Sequence, residues 1–209
     1  METIVHYPQP QMAGAKISFQ DYLKAYNSIE GVRTEWNAGE VESYKMTNNL
    51  QHQRLIRFLA TLFGFFLDRE KLGEVILAGF PMYLGDDKAA REPDLLVVLN
   101  IHRERIKPTY LDGIADVVVE VVSPESDERD HGTKLVEYEA AGIPEYWLID
   151  PIRREADVYI LGEDRRYHRA AQFASSVLPG FAIDPQVLWQ EPLPDGAALL
   201  SFVEQMKTG

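Results

Sequence analysis

The sequence predicts an α/β fold in which one mixed β-sheet carries helices on both faces. The main observation is a strand–helix–strand unit, with an apolar strand at 116–122, a helix at 127–141 and a second apolar strand at 145–150. Two strands joined through a helix run parallel, and the helix covers a face of their sheet. A hairpin before the unit and a strand pair after it are antiparallel, so the sheet is expected to be mixed.

The length of 209 residues suits one large domain. Residues 1–17 contain Pro, Gln and Gly without a hydrophobic period, and we expect a flexible N-terminal arm there and a single domain over 18–209. Ser18 is the expected N-cap of a helix over 18–29. Asp21 follows three positions later, where a capping box has Glu or Gln.

A β-hairpin and a long helix come next. Strands at 33–36 and 40–46 flank the Gly-containing loop Asn-Ala-Gly, which is typical of a hairpin. A helix that begins at Asn48 or Asn49 and ends near Asp68 has leucine and phenylalanine at helical spacing. This helix should therefore pack on the core.

The other elements are indicated by apolar runs between turn residues. We expect a strand at 74–84, before a Gly-Asp-Asp turn, and a buried strand at 95–99. After the central unit, 156–161 and 166–173 should form an antiparallel pair across Gly-Glu-Asp. A terminal helix is expected at 196–206.

Composition limits the classes of function. The net charge of −12 argues against a non-enzymatic DNA-binding protein, which usually carries a basic surface. An enzyme that binds phosphates through a divalent ion needs less positive charge of its own. The absence of cysteine excludes disulfides and thiolate metal sites. Neither a secretory signal nor an apolar run of roughly 18 residues is visible, so we expect a cytoplasmic protein without a membrane span.

One ionisable residue inside a nearly pure apolar strand identifies the candidate site. Glu120 stands in the sequence DVVVEVV, and a buried carboxylate is costly unless a metal ion or a cation compensates it. Lys134 lies roughly 10 Å along the following helix, and Glu120 lies roughly 7 Å back from the strand end. Lys134 can therefore reach Glu120. His131 and Tyr138 are expected on the same helical face as Lys134, because they lie at i−3 and i+4.

A second carboxylate, Asp94, leads into the strand at 95–99. Antiparallel pairing of this strand with 117–122 would bring Asp94 close to Glu120. Carboxylate oxygens of this kind suit Mg²⁺ or Mn²⁺, with the carbonyl of Val121 and waters as further ligands. Such an ion activates water and polarises a phosphate oxygen, and a nearby lysine stabilises the developing charge. The sequence thus contains the parts for metal-assisted phosphodiester hydrolysis.

The same residues carry a resemblance to a known family. The succession of PD, an apolar strand, VVVEVVSPES, a helix with Lys and Tyr, and GIPEYWLIDP resembles the Uma2 family, formerly DUF820, of the PD-(D/E)xK nuclease superfamily. The resemblance implies a restriction-endonuclease-like αβα core and Mg²⁺-dependent cleavage of DNA. It assigns Asp94 and Glu120 to the acidic motif positions, and Lys134 to a lysine moved from strand to helix. Val122 stands where the parent motif has its lysine.

The resemblance extends over 18–173 and has two further implications. The start of the family's sequences is similar to the segment RTEWNAGEVESYKM and the histidine that follows it. This similarity implies a role for Glu35, as an auxiliary carboxylate, and for His52. Restriction-type enzymes also cut two strands, which implies a homodimer.

Alternatives from other classes remain open. The acidic charge and the absent strand lysine also fit a catalytically silent domain that acts as a binding or regulatory module, and the metal site would also fit a hydrolase of a smaller phosphoester. Asp94 could be only a strand cap, Lys134 a solvated lysine and Glu35 a surface residue. His52 and His131 could have capping, packing or solvated roles. The sequence lacks the glycine pattern of a serine-hydrolase elbow.

Overall fold

A computed structural model of the chain describes residues 16–25, 32–45, 49–124 and 126–206. Most of the predicted N-terminal arm lies outside these residues. Where the description begins, Ile17 is tied to the hairpin, because its amide donates to the Gly39 carbonyl at 2.9 Å and its carbonyl accepts from the Trp36 indole at 2.9 Å. The division into an arm and one domain stays a prediction.

In the described part of the chain there are four α-helices and eleven strands. The helices are α1 Phe19–Ala25, α2 Leu50–Glu70, α3 Lys134–Ala141 and α4 Gly196–Gln205. The strands are β1 Val32–Asn37, β2 Glu40–Lys45, β3 Gly73–Leu77, β4 Met82–Tyr83, β5 Ala89–Arg91, β6 Leu95–Leu99, β7 Leu111–Asp112, β8 Val117–Val121, β9 Glu145–Asp150, β10 Glu155–Leu161 and β11 Tyr167–Arg169. Short 3₁₀ helices occupy Asn100–Arg105 and Pro185–Trp189. Within these ranges, no helix is long and apolar enough to cross a bilayer.

The strands form two sheets. The larger has the order β11-β10-β9-β8-β6-β3, in which β8 and β9 are parallel and the other neighbours are antiparallel. This arrangement confirms the predicted mixed sheet, and it contains the antiparallel pairing of β6 with β8 on which the approach of Asp94 to Glu120 depends. The smaller sheet, β2-β1-β5-β4-β7, extends the predicted hairpin. Its short strands have too few residues for a visible period, which explains why the sequence did not indicate them.

Alternating residues of the larger sheet face two different cores. The odd-numbered apolar residues of β6, β8 and β9, such as Leu95 and Val97, pack with α2, where Trp147 meets Phe63 edge to face at a centroid distance of 5.4 Å. The even-numbered apolar residues of these strands, with Tyr138 of α3, form the second core. Helices therefore cover both faces, as predicted, and the period of two fixes which side chains can meet α3.

Two predicted strands need correction. The segment 74–84 is not one strand, since it divides into β3 in the larger sheet and β4 in the smaller one. Gly79, at φ +89°, and Pro81 lie at the break, and proline supplies no amide for a sheet ladder. The segment 166–173 contributes only the three residues of β11.

The helix that follows β8 is not a regular α-helix throughout. After two α-helical residues, Asp127 and Glu128, Arg129–Thr133 form a π-helix, and the Lys134 amide donates to the Arg129 carbonyl five residues earlier. The α-helical part then ends at Gly142, whose φ of +86° is the left-handed conformation that glycine adopts easily. The wide first turn alters which residues face the sheet.

Gly73→Ala is expected to destabilise the protein. A Cβ at Gly73 would lie 2.2 Å from the Val98 carbonyl oxygen and 2.8 Å from the Leu99 Cα, and these backbone atoms cannot shift without moving β6. We expect a loss of about 1–3 kcal/mol in the free energy of unfolding, measured with urea. Gly64→Ala is the control, because nothing lies within 4 Å of its Cβ position and alanine favours the helix. Equal stabilities of the two variants would contradict the prediction.

Candidate active site

The charged residue in the middle of β8 is paired inside the protein. Glu120 is 1% exposed, and its Oε1 accepts hydrogen bonds from the Lys134 Nζ at 2.6 Å and from the Tyr138 hydroxyl at 2.9 Å. Lys134 is also 1% exposed, so the ammonium and the carboxylate are both removed from water. The predicted reach of Lys134 to Glu120 is therefore present in the structure.

Asp94 precedes β6, whose register pairs Leu95 with Val119. Continued by one residue, this register places Asp94 opposite Glu120. Oδ2 of Asp94 accepts a hydrogen bond from the Val121 amide at 2.8 Å. Since the N–H and C=O groups of one strand residue point toward the same neighbouring strand, we expect the Val121 carbonyl to point toward Asp94 as well.

His52 approaches Asp94 from the first turn of α2. Its Nε2 lies 3.2 Å from Oδ2 of Asp94. Asn49 is the N-cap of this helix, and its side chain accepts from the amides of Gln51 and His52. The capping role that was the alternative for His52 thus belongs to Asn49, and the cap fixes the turn that directs His52 to Asp94.

The buried charge of Glu120 affects the pKa values of the neighbouring tyrosines. Burial, followed by the charge of Glu120, raises the pKa of the Tyr138 hydroxyl well above its ordinary value, and Glu35 contributes further. Burial also raises the pKa of Tyr146 well above its ordinary value, with contributions from Glu120, Asp130 and Asp94. Both hydroxyls therefore stay protonated as donors, and the carboxylates that act on them lie in one region of the protein.

Asp130 is a residue of this region that the sequence analysis missed. It is 1% exposed, and its Oδ1 lies 3.0 Å from the Lys134 Nζ. The contact lacks the geometry of a hydrogen bond, and Oδ1 has no hydrogen-bond partner among the residues that the structure describes. The spacing of four residues from Lys134 was the available signal, because residues at i and i+4 of a helix are neighbours.

Glu35 lies in a second buried ionic group, which joins the smaller sheet to α3. Its Oε2 accepts from Arg91 Nη1 at 2.8 Å and its Oε1 from the Glu92 amide at 3.3 Å. Arg91, 1% exposed, also donates to Glu42 at 2.7 Å and to both carboxylate oxygens of Glu137. Glu35 is buried rather than on the surface, and its described contacts place it beside the residues that lead to Asp94.

The prediction that His131, Lys134 and Tyr138 share one face is wrong for His131. Lys134 and Tyr138 both face the carboxylate in β8, whereas His131 Nε2 lies 3.2 Å from Asp150 and 3.5 Å from Asp127. The π-helical turn has more residues per turn than an α-helix, so it rotates His131 away from the face that α3 continues.

The group around His131 also has the composition of a metal site. One ligand atom from each of Asp127, His131 and Asp150 lies within 4.8 Å of the others. Arg153 already occupies this group, since its Nη1 donates to Asp127 and to Asp150 at 2.6 Å each. Burial raises the pKa of Asp150, but hydrogen bonds led by those of Arg153 more than offset it, so the pKa lies below its ordinary value. The guanidinium supplies here the charge that an ion would supply.

Asp94 and Glu120 fit a divalent ion better by their chemistry. They offer hard oxygen donors from adjacent strands, and the Val121 carbonyl is expected on the same side. The buried Oδ1 of Asp130, without a hydrogen-bond partner among the described residues, adds negative charge that a cation would stabilise. The donor set suits Mg²⁺ or Mn²⁺.

Tyr138→Phe is expected to lower the free energy of unfolding by about 1.5–3 kcal/mol, because a hydrogen bond to a buried carboxylate is lost. The raised pKa of Tyr138 also gives a pH dependence. The unfolded tyrosine releases its proton near pH 10.0, while the folded one keeps it, so stability is lost as the pH rises above that value. Urea unfolding at pH 8 and above pH 10 should show a steeper loss in the wild type than in the variant. Parallel losses would contradict this origin.

Comparisons with known proteins agree with this architecture. The sequence model of the Uma2 family, described as "Putative restriction endonuclease", matches residues 19–186. A crystal structure described as that of "a putative nuclease belonging to DUF820 from Anabaena variabilis ATCC 29413" has a TM-score of 0.67 and 16% identity, over 83% of this chain and 97% of that one. The structural likeness shows a shared nuclease-like fold. No curated protein matches the chain.

Proposed function

The chain belongs to the Uma2 family, and on that premise we propose that it is a divalent-metal-dependent endonuclease that hydrolyses phosphodiester bonds in DNA. The observation that carries the proposal is the buried pair of Glu120 and Lys134, with Asp94 directly before the adjacent strand β6, whose register leads it toward Glu120. Two carboxylates and an ammonium at one end of a strand pair are the groups that metal-assisted phosphodiester hydrolysis uses.

In this proposal Asp94, Glu120 and the Val121 carbonyl hold Mg²⁺ or Mn²⁺. A bound ion of this kind supplies Lewis-acid chemistry, which polarises a phosphate oxygen and lowers the pKa of bound water. The hydrogen bond from the Val121 amide and the contact with His52 orient the Asp94 carboxylate for metal binding. The described contacts thus hold the carboxylate in place before any ligand arrives.

Lys134 has the role of assisting the attacking water and of stabilising negative charge on the phosphate. Tyr138 supports it by donating to the same oxygen of Glu120. Glu35 is the auxiliary carboxylate. It acts indirectly, because it accepts a hydrogen bond from Arg91, and Arg91 also donates to Glu137 of α3. The low-dielectric surroundings strengthen each of these interactions.

The proposal is tested with supercoiled plasmid incubated with the protein and Mg²⁺ or Mn²⁺. Nicked and linear products that disappear with EDTA are the expected result. A protein without cleavage that still binds DNA or another macromolecule would support the rival class, a catalytically silent module. Its motivation is the absence of a lysine at Val122, together with the net charge of −12.

A hydrolase of a smaller phosphoester is the other rival, because the same donor set would serve it. Bis(4-nitrophenyl) phosphate separates the two. Turnover of this ester without cleavage of plasmid would favour the small substrate, and plasmid cleavage would favour DNA.

The homodimer expected for cutting two strands and the cytoplasmic location stay predictions. Sedimentation velocity measures the oligomeric state. A monomer at all concentrations would contradict the prediction that a homodimer cuts both DNA strands.

A further inference from the structure

The ammonium of Lys134 has two buried carboxylates beside it and a hydrogen bond to only one of them. The Glu120 Oε1 lies at 2.6 Å and accepts a hydrogen bond. The Asp130 Oδ1 lies at 3.0 Å as an ion pair, and it is buried without a hydrogen-bond partner among the described residues. The ion pair compensates the charge of Asp130, and a small turn of the ammonium would complete a hydrogen bond to Oδ1, so the geometry offers the donor a second arrangement.

We propose that Asp130 is a positioning residue that takes the Lys134 ammonium when Glu120 binds the divalent ion. This inference rests on the proposed function. The Lys134 Nζ lies 2.6 Å from Glu120 Oε1, so a cation bound by Glu120 would repel the ammonium. Because Asp130 Oδ1 already lies 3.0 Å from Nζ, only a small rotation is needed for Nζ to donate to Asp130 instead. Asp130 thereby lowers the cost of releasing Glu120, while Tyr138 continues to donate to it.

The local structure supports this role for Asp130. The π-helical turn Arg129–Thr133 holds Asp130 inward, and the Asp130 carbonyl accepts from the Tyr146 hydroxyl at 3.0 Å. Tyr146 lies in β9, so the position of Asp130 is fixed by the sheet. Lys134 is the first residue of α3, directly after this turn, and its ammonium lies between the carboxylates of Glu120 and Asp130.

The test compares Mn²⁺ affinity, measured by calorimetry on the metal-free protein, in the wild type and in Asp130→Asn. The expected result is an affinity about tenfold weaker in the variant, in the range found when groups that orient metal ligands are removed. The thermal midpoint without metal should not fall, because Lys134 keeps Glu120 as its counter-ion. Asp127→Asn is the matched control: it lies three residues earlier, pairs with Arg153 and should bind Mn²⁺ as the wild type does.

A second background separates this role from simple charge attraction. In Lys134→Met no ammonium has to be displaced, so adding Asp130→Asn should weaken Mn²⁺ binding far less than it does in the wild type. An equal loss in both backgrounds, or no loss in Asp130→Asn, overturns the inference. If Lys134→Met does not fold, Asp130→Glu is the deciding variant. It keeps the carboxylate, so its Mn²⁺ affinity should be close to that of the wild type, and an affinity as weak as that of Asp130→Asn overturns the proposal. A wild type that binds no Mn²⁺ contradicts the proposed function instead.

Discussion

Glu120→Gln is expected to lower metal-dependent cleavage of plasmid by about 100-fold or more, because the variant loses the charge that holds the ion. The substitution keeps the shape of the side chain and an oxygen that can accept from Lys134 and Tyr138. Asp130 remains as a charged counter-ion for Lys134. The variant should therefore fold, and the loss should appear in the rate of nicking at saturating Mn²⁺.

Glu145→Gln is the control for a buried strand carboxylate. Glu145 lies in the neighbouring strand β9, where it accepts from the Trp147 indole at 2.6 Å and from Ser176. It packs on the other face of the sheet, so its loss should reduce stability and leave the cleavage rate per folded molecule unchanged. Equal cleavage by Glu120→Gln and the wild type would remove Glu120 from the mechanism.

Arg91→Met is expected to cost about 3–5 kcal/mol in the free energy of unfolding, because removing one partner of a buried ionic group leaves charges without compensation. Arg91 contacts Glu35, Glu42 and Glu137 within 2.8 Å. These carboxylates come from β1, β2 and α3, so the guanidinium also joins the smaller sheet to the helix that carries Lys134.

Arg166→Met provides the comparison on the surface. The Arg166 side chain is 73% exposed and donates to Glu139 at 2.7 Å. Exposed pairs contribute about 0–1 kcal/mol, so urea unfolding should separate the two variants clearly. A loss below about 3 kcal/mol for Arg91→Met would mean that the buried ionic group does not hold the smaller sheet to α3.

The sequence was sufficient for the central unit of the fold, because long periodic elements with clear end signals dominate there. Glu120 was recognisable as a lone charge in an apolar strand, and Lys134 followed from the rise of the helix that runs back along it. The sequence left the antiparallel pairing of 95–99 with 117–122 as a condition for bringing Asp94 to Glu120, and the structure has this pairing.

What the sequence did not reveal depends on contacts between distant segments. Arg91 stands in a strand of three residues, and its partners are separated from it by up to 56 positions in the chain. The π-helical turn that holds Asp130 and directs His131 away has no sequence signal of its own. Glu74–Leu84 was predicted as one strand because its apolar residues continue, although Gly79 and Pro81 divide it between two sheets.

The most direct test of the central claim is an anomalous difference map from crystals of this protein soaked in Mn²⁺. We expect a peak within bonding distance of Asp94 and Glu120, near the Val121 carbonyl, and no such peak in crystals of Glu120→Gln. A peak held instead by Asp127, His131 and Asp150, whose ligand atoms lie within 4.8 Å of one another, would contradict the assignment.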